Sequence, residues 1–146
     1  MEQKTERQSW MATLAKSSPE DLEKRVKTLG DLPEYRFLRS PEIGLTMVRG
    51  RAGGTGRVFN LGEMTIVRCT AIVEERIGFG YVGGRSRRHA ELAAVCDALL
   101  QHPNWRDRVR ESVIEPLQKE LDGQKETQQR QTESTKVNFF TLLRGE

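Results

Sequence analysis

Residues 77–82 read I-G-F-G-Y-V, and this alternation constrains the fold more than any other feature of the chain. Ile77, Phe79 and Tyr81 alternate with glycine at the two-residue period of a strand. A strand with glycine on one face lets a helix or a ligand approach its backbone closely. Residues 78–83 also spell G-x-G-x-x-G, but a dinucleotide site needs the first glycine in a strand-to-helix turn. The alternation therefore favours a strand over a dinucleotide site.

Strand patterns fill the middle of the chain. Residues 35–39, 43–49, 64–73 and 77–82 are rich in β-branched and aromatic side chains and are separated by short polar or glycine-containing segments. Connections this short imply hairpins, so we expect a mainly antiparallel sheet of about four strands.

Helical spacing precedes the sheet. Trp10, Met11 and Leu14 indicate a short amphipathic helix over residues 6–16. Ser18 followed by Pro19 predicts the N-cap and first residue of a second helix, with Asp21 as the reciprocal acid of a capping box and Gly30 as its stop.

Helical spacing also follows the sheet. An apolar stripe at residues 92–100 predicts a helix ended by Pro103, with Asp97 facing water. Asn104 is expected to cap the next helix, and Pro116 to kink or restart it. The fold class predicted is α+β, with helices at both ends of the chain.

The C-terminal end combines a long polar stretch with an apolar segment. Residues 118–136 hold a single aliphatic side chain, Leu121, and the chain then closes with K-V-N-F-F-T-L-L-R-G-E. We predict a single α+β domain over residues 1–116, a polar helical or extended linker over 117–136 and an apolar docking tail over 137–146. The tail either docks on a partner or folds back on its own domain, and the docking residues predicted are Val137, Phe139, Phe140, Leu142 and Leu143, together with Trp10.

Composition fits a single small domain with a modest core. Hydrophobic residues make up 36% of the 146 residues and charged residues 31%, against roughly 45–50% and about 25% in typical domains. The absence of an apolar run long enough to span a membrane, and of a leader pattern, predicts a cytoplasmic protein. The two cysteines, Cys69 and Cys96, fit no disulfide framework or metal motif and are expected to be buried thiols.

Arginines concentrate in the middle of the chain and mark two candidate anion sites. The first is R-A-G-G-T-G-R, residues 51–57, where consecutive glycines can aim successive N–H groups at one oxyanion. A flexible hairpin loop with solvated arginines is the alternative. The candidate residues here are Arg51, Gly53, Gly54, Thr55, Gly56 and Arg57.

The second candidate is G-G-R-S-R-R-H-A-E, residues 83–91, at a predicted helix start capped by Ser86. Cations are unfavourable beside the positive end of a helix dipole, whereas a phosphate or an acidic partner would make them favourable. A solvated basic turn is the alternative. The candidate residues are Arg85, Arg87, Arg88 and His89, of which His89 could bind an anion or bond to a neighbouring group.

Catalytic and metal-binding patterns do not emerge. His89 and His102 are the two histidines, thirteen residues apart, and His102 before Pro103 suits a structural role at a helix end. No nucleophile elbow, triad order or carboxylate pair stands out, so no catalytic residue and no metal ligand is predicted.

Six segments, taken together and in order, resemble the PhnG family, the small G subunit of the bacterial carbon–phosphorus lyase core complex. They are R-Q-S-W-M, G-L-T-M-V, G-G-T-G, G-x-x-x-x-G-G-R-x-x-x-H-A-E, C-D-A-L-L-Q and V-N-F-F-T-L-L-R-G. The resemblance runs nearly from end to end.

The resemblance implies a subunit of α-D-ribose 1-methylphosphonate 5-triphosphate synthase, which supports the displacement of adenine from MgATP by an alkylphosphonate in phosphonate catabolism. It implies a non-catalytic or accessory role in a hetero-oligomer with the H, I and J subunits, the I subunit most directly. It implies no cofactor bound by this chain alone, with MgATP as substrate of the assembled complex, and neither nucleic-acid nor membrane partners. The alternative is a small arginine-rich nucleic-acid-binding or scaffolding module, which the clustered arginines favour and the 6% aromatic content disfavours.

Overall fold

The computed structural model describes the backbone of residues 5–51, 56 and 58–144, and the side chains of residues 5–49, 56 and 61–130. The elements in chain order are α1 (Glu6–Lys16), α2 (Pro19–Lys27), β1 (Arg36–Arg51), β2 (Val58–Val73), β3 (Arg76–Gly83), α3 (Arg87–Leu100), α4 (Arg106–Val109), a π-helical turn (Arg110–Ile114) and α5 (Glu115–Arg144). The fold class predicted from the sequence, α+β with helices at both ends, is confirmed.

The described strands form one antiparallel sheet in the order β1-β2-β3. The two strand patterns at residues 35–39 and 43–49 belong to the single strand β1, so the sheet has three strands where about four were expected. Register shifts lie between Phe37 and Arg39 and between Arg39 and Glu42, next to Pro41. An edge strand accepts a proline at such an irregularity, because the missing N–H need not face a neighbour.

Local chemistry explains where the first two helices begin. Thr5 caps α1 by accepting a hydrogen bond from Gln8 N at 3.1 Å, and Gln8 Oε1 accepts one from Thr5 N at 3.0 Å. Ser18 caps α2 by accepting from Asp21 N at 3.2 Å, with Pro19 at the first helical position, as predicted. The predicted capping box is only half formed, because the Asp21 carboxylate does not accept a hydrogen bond from Ser18 N.

The N-terminal helices and α3 enclose the core with one face of the sheet. Pairs such as Val67 with Val82 and Cys69 with Gly80 lie on the face that α3 covers. The glycines of β3 explain how closely α3 approaches: a Cβ on Gly78 would stand 2.6 Å from Ala98 N and would also overlap the carbonyl oxygen of Ala94. The predicted close helix approach is confirmed, and residues 78–83 form a strand rather than a strand-to-helix phosphate turn.

The C-terminal helices differ from expectation at one cap. Asn104 does not cap α4, because Trp105 occupies the N-cap position without a side-chain hydrogen bond and Asn104 N instead donates to His102 Nδ1 at 3.1 Å. Pro116 was expected to kink or restart the helix, and a new α-helical segment begins next to it. The π-helical turn directly precedes this segment, and its wider turn accommodates a residue that has no N–H to donate.

Helix α5 continues as one helix through residues 117–136 and on to Arg144. The side chains of the predicted docking tail, residues 137–146, lie outside the described part of the chain, so tail docking stays a prediction.

Candidate functional site

Asp97 lies at the centre of the most connected polar cluster of the described residues. Its carboxylate is fully buried and accepts hydrogen bonds from Arg7 Nε at 3.2 Å, Arg7 Nη2 at 2.9 Å, Trp10 Nε1 at 2.8 Å and Phe79 N at 2.9 Å. The expectation that Asp97 faces water was therefore wrong. Its partners come from α1 and β3, and a helical pattern within α3 cannot reveal them.

Trp10 was predicted as a docking residue, but its ring is only 6% exposed and its indole N–H donates to Asp97. It therefore belongs to the core of its own chain, where an amphipathic ring finds both apolar packing and an acceptor. Helical spacing identified Trp10 as an inward-facing residue but could not identify the surface that it faces.

Arg7 extends the cluster to the surface. Its hydrogen bond to Asp97 and the charge of that carboxylate raise the pKa of Arg7, against a smaller opposing effect of burial. The guanidinium carbon lies 5.7 Å from the ring centroid of Phe79, within reach of a cation–π contact. Arg7 thus places a fixed positive charge at the edge of the sheet face that α3 does not cover.

That uncovered side of the sheet is named here the open face. Residues directly opposite each other on neighbouring strands share a face, so Ile77 groups with Ile72, Phe79 with Thr70 and Tyr81 with Arg68. From β1, the register adds Arg36, Arg39 and Glu42. Ile77, Phe79 and Tyr81 are between 39% and 50% exposed, which is high for apolar side chains on a sheet.

The β1–β2 hairpin also continues beyond the three-stranded sheet. β3 pairs with β2 only as far as Ile66, so residues 45–51 and 58–65 form a two-stranded ribbon, named here the arm. About seven further residue pairs carry it roughly 25 Å past the end of β3. Five large apolar side chains on the arm are between 36% and 68% exposed: Leu45, Met47, Val48, Leu61 and Met64.

The candidate anion residues at the start of α3 differ from one another in the groups that they contact. Ser86 Oγ accepts from His89 N at 3.1 Å and forms the predicted cap. Arg88 is held by Glu91 at 3.2 Å and by Glu23 at 3.7 Å. Burial opposes the charge of Arg88, but the hydrogen bond and charge of Glu91 outweigh it and raise its pKa.

Arg85 and Arg87 are exposed, and neither forms an ion pair within the described part of the chain. His89 is buried, and its Nε2 lies 2.8 Å from the carbonyl oxygen of Leu14. Because a carbonyl only accepts, Nε2 carries the proton, and His89 joins α3 to α1 rather than facing an anion.

Of the other candidate anion residues, Gly53, Gly54, Thr55 and Arg57 lie outside the described residues, and so does the side chain of Arg51. Gly56 is described and lies in a bend of intermediate exposure.

His102 and the two cysteines have structural surroundings. His102 Nε2 donates to Glu74 at 2.7 Å and its Nδ1 accepts from Asn104 N, so it ties α3 to the β2–β3 turn. Burial raises the pKa of Cys69 to about 11 and that of Cys96 to about 12, as expected for enclosed thiols. Over the described ranges, no cluster of three His, Cys, Asp or Glu side chains could hold a metal ion.

One cleft, of about 330 Å³, lies at one end of the open face, where Arg36, Ile72 and Glu74 line it. The largest cleft of the described residues, about 390 Å³, separates α1 from α5 and is lined mainly by polar side chains such as Thr13, Lys16 and Lys125. Within the same described residues, no helix has the length and apolar character needed to span a membrane.

The fold is that of a small α+β protein, whose distinguishing surfaces in the described residues are an apolar arm and an arginine-rich open face. Comparison with known proteins gives the family. The family model described as phosphonate metabolism protein PhnG matches residues 5–145, and the chain belongs to that family.

A curated relative from Rhizobium meliloti (strain 1021) is named alpha-D-ribose 1-methylphosphonate 5-triphosphate synthase subunit PhnG. It is 38% identical over 142 residues, which cover 97% of this chain and 90% of the relative. The resemblance expected from the sequence segments is therefore confirmed.

Proposed function

We propose that this chain is the PhnG subunit of α-D-ribose 1-methylphosphonate 5-triphosphate synthase and that it contributes binding surfaces to a hetero-oligomer. The match to the relative of that name along nearly the full length of both chains supports the proposal. In the assembled complex, an alkylphosphonate displaces adenine from MgATP. This chain carries no catalytic residue of its own in that reaction, binds no cofactor alone and acts in the cytoplasm.

The arm is the structural observation that carries the proposal. A two-stranded ribbon is marginally stable in water by itself, and this one leaves five large apolar side chains about half exposed. Covering them would release roughly 4–8 kcal/mol gross, at about 1.5–3 kcal/mol for each fully buried side chain. A subunit interface accounts for such a surface, whereas an isolated chain would carry it as an aggregation hazard.

The proposed partners are the H, I and J subunits, with the I subunit contacted most directly. Helix α5 extends the chain toward its C-terminal end, and we propose that Val137, Phe139, Phe140, Leu142 and Leu143 dock on the I subunit. The polar composition of residues 118–136 supports this reading, because that stretch supplies length without a core-forming face of its own.

Reconstitution tests the function. The other synthase subunits are co-expressed with and without this chain, and adenine release from MgATP is measured in the presence of methylphosphonate. We expect adenine release only when this chain is present. Full activity in its absence would refute the proposal.

Co-purification tests the two docking segments. Deletion of residues 137–146 is expected to abolish co-purification with the I subunit, and Leu45→Ser with Leu61→Ser to weaken it. Lys24→Ser, at an exposed position on α2 outside both the arm and the open face, is the control. Equal effects of all three changes would show that the assay does not report docking by these segments.

A second contribution is proposed for Arg85 and Arg87, which flank the cap of α3 and are exposed without an ion pair in the described residues. In the assembled complex they would contact the polyphosphate of MgATP, together with the loop at residues 51–57. Protection of residues 83–91 or 51–57 from hydrogen exchange by MgATP would support this contact, and unchanged exchange at both segments would refute it.

A further inference from the structure

The open face has the composition of a protein-binding hot spot. Ile77, Phe79 and Tyr81 form an exposed row along β3, and arginines from β1 and β2 lie beside it. Aromatic and arginine side chains are the residues that most often carry the binding energy at interfaces. In this respect the open face differs from the arm, whose exposed residues are mainly aliphatic.

The charge of the open face is unbalanced. Arg36, Arg39 and Arg68 are all exposed, and none of them forms an ion pair in the described part of the chain. Glu42 is the one acid that the register places among them, opposite Arg68. Arg7 adds little net charge, because the buried Asp97 carboxylate neutralises it. The residues that the register places on this face carry a net charge of about +2, from three arginines and one glutamate. Glu34, Glu74 and Glu75 line a cleft beside Arg36 at one end of the face, so the unbalanced positive charge lies at Arg39 and Arg68.

From this composition we infer that the open face docks on an acidic surface of another synthase subunit, with carboxylates paired to Arg39 and Arg68 and apolar side chains packed on Phe79 and Tyr81. This inference rests on the proposed function. Arginine favours such a partner, because its planar guanidinium can donate two hydrogen bonds to one carboxylate. Charge complementarity of this kind also sets which of several subunits can bind.

The geometry favours a protein partner over a nucleic acid. Single-stranded nucleic acids bind sheets by stacking bases on exposed aromatic faces. Here one face of Phe79 already contacts the Arg7 guanidinium, which Asp97 fixes with two hydrogen bonds. Glu42 would in addition repel phosphates that approached Arg68.

Charge reversal in the co-expressed complex tests the inference. The probe is the remaining set of synthase subunits, co-expressed with a tagged full-length chain. Arg39→Glu combined with Arg68→Glu should lower the fraction of chain that co-purifies at least tenfold, and each single change should lower it by less. Lys27→Glu, at an exposed position on α2, makes the same charge change away from the open face and should leave co-purification within twofold of wild type. Circular dichroism checks that the variants stay folded.

Photo-crosslinking provides a second readout that a folding defect cannot imitate. With Tyr81 replaced by p-benzoylphenylalanine, irradiation of the complex should join this position to a subunit peptide rich in Asp and Glu. The same amino acid at Lys24 should give no such product. Crosslinks to nucleic acid, to a second copy of this chain or to a basic peptide would overturn the inference.

The outcomes separate the two proposals. If the wild-type chain fails to co-purify with the other subunits, the proposed function fails, and the inference fails with it. If the wild-type chain co-purifies but the double reversal stays within twofold of it, the inference alone is overturned.

Discussion

Replacement of Asp97 by asparagine tests whether the buried carboxylate holds α1, β3 and α3 together. Oδ1 accepts hydrogen bonds from Arg7 Nε and Trp10 Nε1, and Oδ2 accepts from Arg7 Nη2 and Phe79 N. Asparagine keeps the shape but only one acceptor oxygen, so its NH₂ group must face two donors. Bonds to a charged group are worth about 1.5–3 kcal/mol each. We therefore expect Asp97→Asn to lower the free energy of unfolding by about 3–5 kcal/mol, the range seen when a buried pair loses one partner.

Equilibrium urea unfolding, followed by the fluorescence of the two tryptophans, measures this loss. At a slope of about 2 kcal/mol per molar urea, the midpoint should fall by roughly 2 M. Asp107→Asn removes an exposed carboxylate and should change the stability by no more than about 0.5 kcal/mol. If Asp97→Asn costs no more than Asp107→Asn, the buried carboxylate does not tie the three elements together.

A double-mutant cycle separates the ion pair from the other two bonds. Arg7→Met combined with Asp97→Asn should show a coupling of at least about 1 kcal/mol. The pKa of Arg7 is raised by its bond to Asp97, so the stability linked to Arg7 is present below its ordinary pKa and is lost only as the pH rises beyond it. Titration of Arg7 should therefore leave the coupling unchanged between pH 6 and pH 9.

Three further measurements follow from backbone geometry and thiol burial. Gly78→Ala should lower the free energy of unfolding, measured in urea, by more than about 2 kcal/mol, because the added Cβ would overlap the Ala94 carbonyl. Gly44 has open space around it, so Gly44→Ala should leave the free energy of unfolding almost unchanged. Equal effects of the two changes would refute the close approach of α3 to β3. Glu75→Gly should raise the melting temperature, because Glu75 has a φ of +72° that glycine adopts without strain. A lower melting temperature would contradict the assignment of backbone strain to Glu75. Burial raises the pKa of Cys96 from 9.0 to about 12, so only the unfolded thiol ionises as the pH rises above about 9, and stability should fall by about 1.4 kcal/mol at pH 10. A Cys96→Ala variant should lose this part of the pH dependence, and an unchanged slope would refute the assignment.

Local chemistry determined which features were predictable from sequence. The caps at Ser18 and Ser86 and the glycine face of β3 depend on residues within a few positions of each other, and all three were confirmed. Asp97 was wrongly expected in water because its partners lie as far as 90 residues away in sequence. A periodic pattern can indicate that a residue lies on a helix, but distant elements decide what covers it.

For the sheet and the candidate anion residues too, local features were predictable from sequence and contacts with distant elements were not. The patterns at residues 35–39 and 43–49 suggested two strands, whereas a single strand, β1, passes Pro41 with register shifts that only pairing with β2 reveals. The basic segment before α3 was identified from sequence, but the pairing of Arg88 with Glu91 and of His89 with Leu14 depends on three-dimensional neighbours. The open face was missed, because only the register brings Arg39 and Arg68 to the same side of the sheet.

The outer edge of β3 is closed to a further strand, and this limits where the sheet can be extended. Phe79 N donates to Asp97, and Ile77 O accepts from Gln101 Nε2 at 2.8 Å, so side chains of α3 already occupy groups to which an added strand would bind. An invading strand would have to displace a buried carboxylate there, which protects β3 from edge-to-edge aggregation. Any strand contributed by another chain would therefore pair along β1, and the sheet can be extended from one side only.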